Sequence, residues 1–266
     1  MRRVRAELLP TLMKSPTERF SDRVENYAKY RPDYPAAMLQ YLVKSIPAPA
    51  RVADIGAGTG ILTAQLLEAG YEVFAVEPNR PMAEAAEREL GLRPRFHSVP
   101  GTAEATTLES GSVDLITCAQ SFHWFDQEKT RSEFNRILQA GARVAIVWNE
   151  RRDDASDFQD EYEAILQRLA PEYPKVVHRQ VSLDQIQAFF GSGQVQLFTF
   201  PHFQLLDREA FLGRVLSSSF VPNVGQPGHT EVMSAVAALF DRFQMNGRVR
   251  MEYETRLYWG RFVASD

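Results

Sequence analysis

The chain has 266 residues, 44% hydrophobic and 24% charged, with 30 Lys and Arg against 34 Asp and Glu for a formal charge of −4. These figures sit near the globular average, which excludes wholesale disorder and leaves either one elaborated domain or one domain with an appendage. The mild acidity argues against nucleic acid as the main partner, because a protein that neutralises phosphates carries a positive face.

The single cysteine, Cys118, excludes an intramolecular disulfide and fits a reducing, cytoplasmic setting. Residues 1–16 read as a frayed leader: Arg2, Arg3 and Arg5 precede only a short apolar stretch broken by Pro10, too weak for a secretory signal. No apolar run approaches the roughly 18 residues of a membrane span, so no membrane insertion is expected. The five histidines are scattered without a short ligand spacing, and no metal site is expected.

An N-terminal helical segment ends at the proline-rich turn Ile46-Pro47-Ala48-Pro49. From there hydrophobic patterning predicts a strand over 51–55, a helix over 61–69 closed by Gly70, a strand over 71–76, a helix over 81–90 closed by Gly91, and a strand over 94–99. The rhythm continues with a strand over 113–119, a helix over 127–139 stopped by Gly141, and a strand over 143–148. Such alternation builds a mostly parallel sheet covered by helices on both faces. A helical pattern over 156–169 has no strand directly after it and reads as inserted. Two longer strands follow, over 194–206 and 249–262, separated by helices over 208–216 and 230–243; long strands so late suggest an antiparallel edge. The expected organisation is one structural domain: leader and cap helices over 1–50, a cofactor-binding core over 51–150, an inserted lid over 151–193, and strands and helices over 194–266 that complete the sheet and acceptor pocket.

The first strand runs into Asp54-Ile55-Gly56-Ala57-Gly58-Thr59-Gly60. Glycines where a strand turns into a helix let a ligand approach the backbone and the free N–H groups of a helix start. Glu77 ends the second strand, 21 positions beyond Gly56, where a carboxylate can accept bonds from both hydroxyls of a ribose. A dinucleotide fingerprint would need its third glycine at 61, where this chain has Ile61. An NAD-linked oxidoreductase is disfavoured on that ground.

The G-x-G-x-G loop with Asp54 resembles the first motif of class I S-adenosylmethionine-dependent methyltransferases, and Ala75-Val76-Glu77-Pro78-Asn79 resembles their acidic second motif. Gly101-Thr102-Ala103-Glu104 stands where that family holds the adenine, and Ser112 to Thr117 matches its fourth strand. Leu138-Gln139-Ala140-Gly141-Ala142 departs at two positions from the usual Leu-Lys-Pro-Gly-Gly turn. Phe20-Ser21-Asp22-Arg23 with Tyr27, Tyr30, Arg31, Pro32, Tyr34 and Pro35 is similar to the cap of the small-molecule branch that includes trans-aconitate, quinone and sterol methyltransferases. The resemblance implies an α/β fold with a Rossmann-like, doubly wound, seven-stranded sheet whose last strand is antiparallel, plus an N-terminal helical cap and inserted lid helices. It implies S-adenosyl-L-methionine as cofactor and S-adenosyl-L-homocysteine as product.

By the same resemblance Gly56, Ala57, Gly58 and Gly60 would lie along the cofactor, Asp54 would reach its ammonium group or bond its own turn, and Glu77 would take the ribose. Pro78 and Met82 would pack on the adenine, whose edge Thr102, Ala103 and Glu104 would meet; Ala119 and Gln120 would complete the wall. Tyr27 and Arg31, with Tyr30, would close over the methionine carboxylate. His123, Trp124, Asn149 and Tyr30 are expected to line the acceptor, with His123 either a general base or a structural histidine. The loop after the fourth strand lacks the Asn-Pro-Pro-Tyr or Asp-Pro-Pro-Tyr wording of base amino-methylation. That absence disfavours base amino-methylation; the resemblance to the small-molecule branch implies O-methylation of a small carboxylic acid or hydroxyl compound, with C-methylation of a quinone- or sterol-like acceptor and a non-catalytic binding protein as the alternatives. The acceptor and the oligomeric state stay open.

Overall fold

The structure is a computed structural model that describes residues 23–152, 154–173, 181–191 and 193–262. The expected leader over 1–16, the start of the cap motif at Phe20-Ser21-Asp22, and 174–180 of the expected insert lie outside the described residues.

The described strands form a seven-stranded sheet. In chain order they are β1 (Arg51–Ile55), β2 (Glu72–Val76), β3 (Phe96–Val99), β4 (Val113–Ala119), β5 (Leu138–Arg151), β6 (Val195–Leu206) and β7 (Val249–Gly260), arranged β3-β2-β1-β4-β5-β7-β6. β1 to β5 run parallel, and β7 is antiparallel to both β5 and β6. The expected parallel core with one reversed late strand is present.

Successive β1 residues point to opposite faces, and both faces are covered. Val52 joins a core with Leu115, Val147 and Leu257 under α2 (Ala36–Ser45) and α3 (Ile61–Glu68). Ala53 and Ile55 join Ile116, Ile146 and Tyr258 under α5 (Gln127–Ile137) and α7 (Leu183–Phe190). Two-sided burial is why these strands read as continuous apolar runs. The α7 helix corrects part of the expected lid: Ile186, Phe189 and Phe190 are core residues of the sheet, packed on Phe122 and Phe134, so this segment is a covering helix.

A second correction concerns Gly141. α5 ends at Ile137, and Leu138 is already extended and paired with Val113. Gly141, at φ +82°, lies inside β5, where the pairing slips between Leu138 and Arg143. The glycine permits an irregularity in the strand and does not stop the helix.

β7 is long enough to serve two cores. Its second half pairs with β5 in the sheet, whereas Val249, Met251 and Tyr253 pack into a separate cluster with α6 (Asp157–Leu169), α8 (Arg208–Leu216) and α9 (His229–Phe243). Tyr253 pairs with Arg151, the last residue of β5, so this helical layer stands beyond the C-terminal ends of the parallel strands. The first described helix, α1 (Val24–Tyr30), is tied to that layer: the Arg23 guanidinium donates to the carbonyls of Leu216 (2.8 Å), Ser218 (2.6 Å) and Val221 (2.5 Å). Among the described residues no helix is long and apolar enough to cross a membrane.

Candidate active site

At the C-terminal ends of β1, β2 and β4 lies a cavity of about 150 Å³. Ligands of open α/β sheets bind at this edge. Larger grooves of about 500 and 420 Å³ run between α2 and α3 and between α6 and α9, but helix faces alone line them.

The loop after β1 begins with Gly56 and Ala57, whose N–H groups donate to the Val76 carbonyl at 2.8 and 3.2 Å. This ties the loop to the end of β2. Gly56, at φ +68°, lines the cavity, and a Cβ there would sit 2.5 Å from the Ser121 Cβ. Gly58, at φ +60°, also lines it, but an added Cβ would meet only the Met82 Cε, 3.9 Å away. Gly58 is thus a backbone cradle open toward the cavity.

Glu77 faces the same space. Its Oε2 accepts from Gly58 N–H and its Oε1 from Asn79 N–H, both at 2.8 Å. Each oxygen keeps a lone pair for a ligand hydroxyl. Burial pushes this carboxyl above its ordinary value, against the pull of the two N–H groups. Pro78, Met82, Thr102, Ala103, Glu104, Ala119, Gln120 and Tyr27 line the cavity as the sequence suggested, and so does Trp124. Glu104 also accepts from Asp126 N–H at 2.9 Å, which joins the loop after β3 to the start of α5. Gln120 holds a left-handed backbone, φ +60°, and its amide reaches the Asn149 carbonyl at 3.3 Å. Such conformations in non-glycine residues persist where surrounding structure enforces them, often at ligand sites.

Several expected site residues stand elsewhere. Asp54 is 1% exposed and absent from the cavity wall; Thr63 and Thr117 donate to its two oxygens at 2.7 and 2.8 Å. It pins β1 to α3 and β4. Burial pushes its carboxyl up, opposed by the two hydroxyl bonds. With a folded value above the unfolded one of about 3.9, this group favours the native state fully below that value and loses the advantage as pH rises through the folded value. Asp54→Asn removes the titration, so its melting temperature relative to the native chain should rise as pH increases above about 4. Thermal melts of both proteins check this, and a difference independent of pH would exclude it.

Gly60, at φ +84°, caps α3, and its Cβ would strike Leu90 Cδ1 at 2.8 Å; it packs against α4 (Arg80–Leu90) and not the cavity. Ala57 likewise serves the turn. The His123 ring lies against Trp124, with centroids 4.6 Å apart, and does not line the cavity, because Phe122 in the same short helical turn is drawn fully into the core. Asn149 joins elements: its Nδ2 donates to Asp33 O at 2.8 Å and its Oδ1 accepts from Thr255 Oγ1 at 2.5 Å. The Tyr30 hydroxyl donates to Glu209 at 2.7 Å, and its ring fills the space that a Cβ on Gly213 would need. Arg31 sits behind the wall, its guanidinium 4.8 Å from the Tyr27 ring centroid and its Nη2 donating to Ser217 O at 3.0 Å.

Three further residues line the cavity: Asn79, and Ser121 and Phe125 of the 119–125 loop, which is expected at the ligand edge because it follows the end of the fourth strand. Asn79 carried a signal, since an Asn before Arg80-Pro81 is a helix N-cap, and its Oδ1 accepts from Met82 N–H at 3.1 Å. Ser121 is held by donating to Ile55 O at 2.8 Å across neighbouring strands. Among the described residues, no group of three or more His, Cys, Asp or Glu could hold a metal ion.

A family model described as a methyltransferase domain matches residues 53–146. An uncharacterized methyltransferase of Mycobacterium tuberculosis is 40% identical over 133 residues, half of this chain and 52% of that one, so the match spans about half of that relative's length. The uncharacterized methyltransferase YcgJ of Bacillus subtilis is 31% identical over 183 residues, 66% of this chain and 70% of its own. A solved structure of a candidate type II methyltransferase from Anaeromyxobacter dehalogenans superposes with a TM-score of 0.62 at 26% identity, covering 87% of this chain and 98% of that one.

Proposed function

Because the chain belongs to the class I S-adenosylmethionine-dependent methyltransferases, we propose that it transfers a methyl group to an oxygen of a small carboxylic acid or hydroxyl compound. The bound cofactor would supply an electrophilic methyl on a sulfonium cation. The observation that carries the reading is the charge of the cavity wall: Glu77 and Glu104 with Tyr27, Trp124 and Phe125, and no Lys, Arg or His among the described lining residues. Carboxylates and aromatic faces attract a cation, and a wall without cations does not repel one. The open cradle at Gly58 beside Glu77 supports a nucleoside there.

The same wall supports a transfer that needs no titrating base. A carboxylate acceptor already offers a lone pair at neutral pH. As its C–O bond forms, the methyl–sulfur bond breaks, both charges are cancelled, and S-adenosylhomocysteine leaves as a neutral thioether. A hydroxyl acceptor would release its proton to water. The protein's contribution is alignment of the two reactants in a confined space.

The reading is tested with isotopically labelled methyl donor and fractionated metabolite extracts, followed by mass analysis of what gains label. Label in acidic or hydroxylated small molecules is expected. Label confined to neutral lipophilic compounds would reject O-methylation of such acceptors. Glu77→Ala should weaken S-adenosylhomocysteine about 10- to 100-fold in calorimetry, since hydrogen bonds to a charged group contribute about 1.5–3 kcal/mol. A change under about threefold would remove the ribose from Glu77.

A further inference from the structure

Behind the Tyr27 wall, two guanidinium groups far apart in the chain converge, with no carboxylate beside them among the described residues. Arg214, on α8, is 8% exposed. Its Nε donates to the Tyr253 hydroxyl at 3.3 Å, and its Nη1 to the hydroxyls of Ser218 at 3.2 Å and Ser217 at 3.5 Å. All are long, neutral bonds near the limit of a real interaction. Arg31 meets the same residue, donating from Nη2 to Ser217 O at 3.0 Å, while its Nε is buried with no acceptor. Burial and the neighbouring Arg214 together pull the Arg31 guanidinium down to about 10.

Among the described residues, no carboxylate stands within ion-pair distance of either group. Arg151, in the same layer, differs: it is paired with Glu163 and bonded to the Tyr173 hydroxyl. Gln204 adds only neutral groups, accepting from the Tyr253 hydroxyl at 2.9 Å and donating to Tyr30 O at 3.1 Å. Arginine stays charged in proteins, and an uncompensated buried charge is costly. A fold that neutralises one buried arginine and leaves two converging ones bare has a place for an oxyanion, which a guanidinium fork binds in two-point fashion.

We propose that Arg214 and Arg31 seat an oxyanion group of the methyl acceptor, so that the acceptor is an acid carrying an anionic group besides the oxygen that is methylated. This assignment rests on the methyl-transfer reading above. The placement suits it: Arg31 lies against Tyr27, and Tyr27 lines the cavity, so the seated anion is one aromatic ring from the cofactor space. The reacting oxygen itself stays clear of the guanidinium groups, which would otherwise lower its nucleophilicity. The acceptors that fit are diacids, hydroxy acids and their phosphate counterparts.

The test uses the full chain loaded with S-adenosylhomocysteine and titrated at constant ionic strength with malonate, benzoate and inorganic phosphate, with malonamide and benzamide as uncharged controls. Saturable binding of at least one oxyanion is expected, weakened tenfold or more by Arg214→Met and partly kept by Arg214→Lys, with the amides inert. The malonate and benzoate arms against the phosphate arm tell carboxylate from phosphate. S-adenosylhomocysteine affinity should stay within twofold in Arg214→Met, and circular dichroism of both variants reports folding. No oxyanion binding, or equal binding by Arg214→Met, overturns the seat. A tenfold loss of S-adenosylhomocysteine affinity in folded Arg214→Met also overturns it, assigning the pair to the cofactor. If the native chain fails to bind S-adenosylhomocysteine, the methyl-transfer reading fails instead, and the anion titration of the free protein still reads the seat.

Discussion

Gly58→Val should abolish S-adenosylhomocysteine binding, with affinity falling at least about 100-fold, while the protein remains folded. The site has room for a Cβ only because the cradle is open toward the cavity: the nearest atom is Met82 Cε at 3.9 Å. A branched side chain would occupy that opening. It would also sit at φ +60°, a conformation that β-branched residues strongly resist, and so would draw the Gly58 N–H away from Glu77. Loss of the opening and of the N–H that orients Glu77 should act together, and more than about two tenfold steps, roughly 2.8 kcal/mol, is expected. Calorimetric titration with a parallel melt is the measurement. Affinity within tenfold of the native chain would move the cofactor away from this loop.

Gly60→Val, two residues on, should do the reverse. Its Cβ would collide with Leu90 Cδ1 at 2.8 Å and Ala86 Cβ at 3.2 Å, so α3 and α4 would be forced apart, and φ is +84°. Overpacking costs about 1–3 kcal/mol and a left-handed conformation about 1–2 kcal/mol more, so a loss of roughly 2–5 kcal/mol is expected. At this chain length the melting temperature should fall by roughly 4–20 °C. Binding of S-adenosylhomocysteine by the folded fraction should persist. Loss of binding with an unchanged melt would return Gly60 to the cofactor site. The pair separates two roles that one glycine motif conceals.

The sheet is legible in the sequence because its signals are local. β1 and β2 are short apolar strands, each followed by a helix that ends at a glycine, so periodicity alone places them, and the long patterned strands at the end announce the reversed β7. A local signal misleads where it has a second meaning. Gly141 looks like a helix stop, yet Leu138 pairs with Val113 before the glycine is reached. The segment expected as a lid over 151–193 includes α7, which packs Phe189 and Phe190 on the face formed by Phe134 and Tyr258.

The chain's own order of residues determined that a glycine turn follows β1, that Glu77 ends β2, and that Thr102 to Glu104 follow β3, because each of these depends on neighbours within a few positions. Tertiary structure alone decided which motif residues face the cavity. Gly58 and Glu77 do, whereas Asp54 and Gly60 are taken by Thr63, Thr117 and Leu90. It also decided that Arg31 and Arg214 meet at Ser217. A side chain's partners across strands and helices fix where it points, and no spacing along a single segment contains those partners.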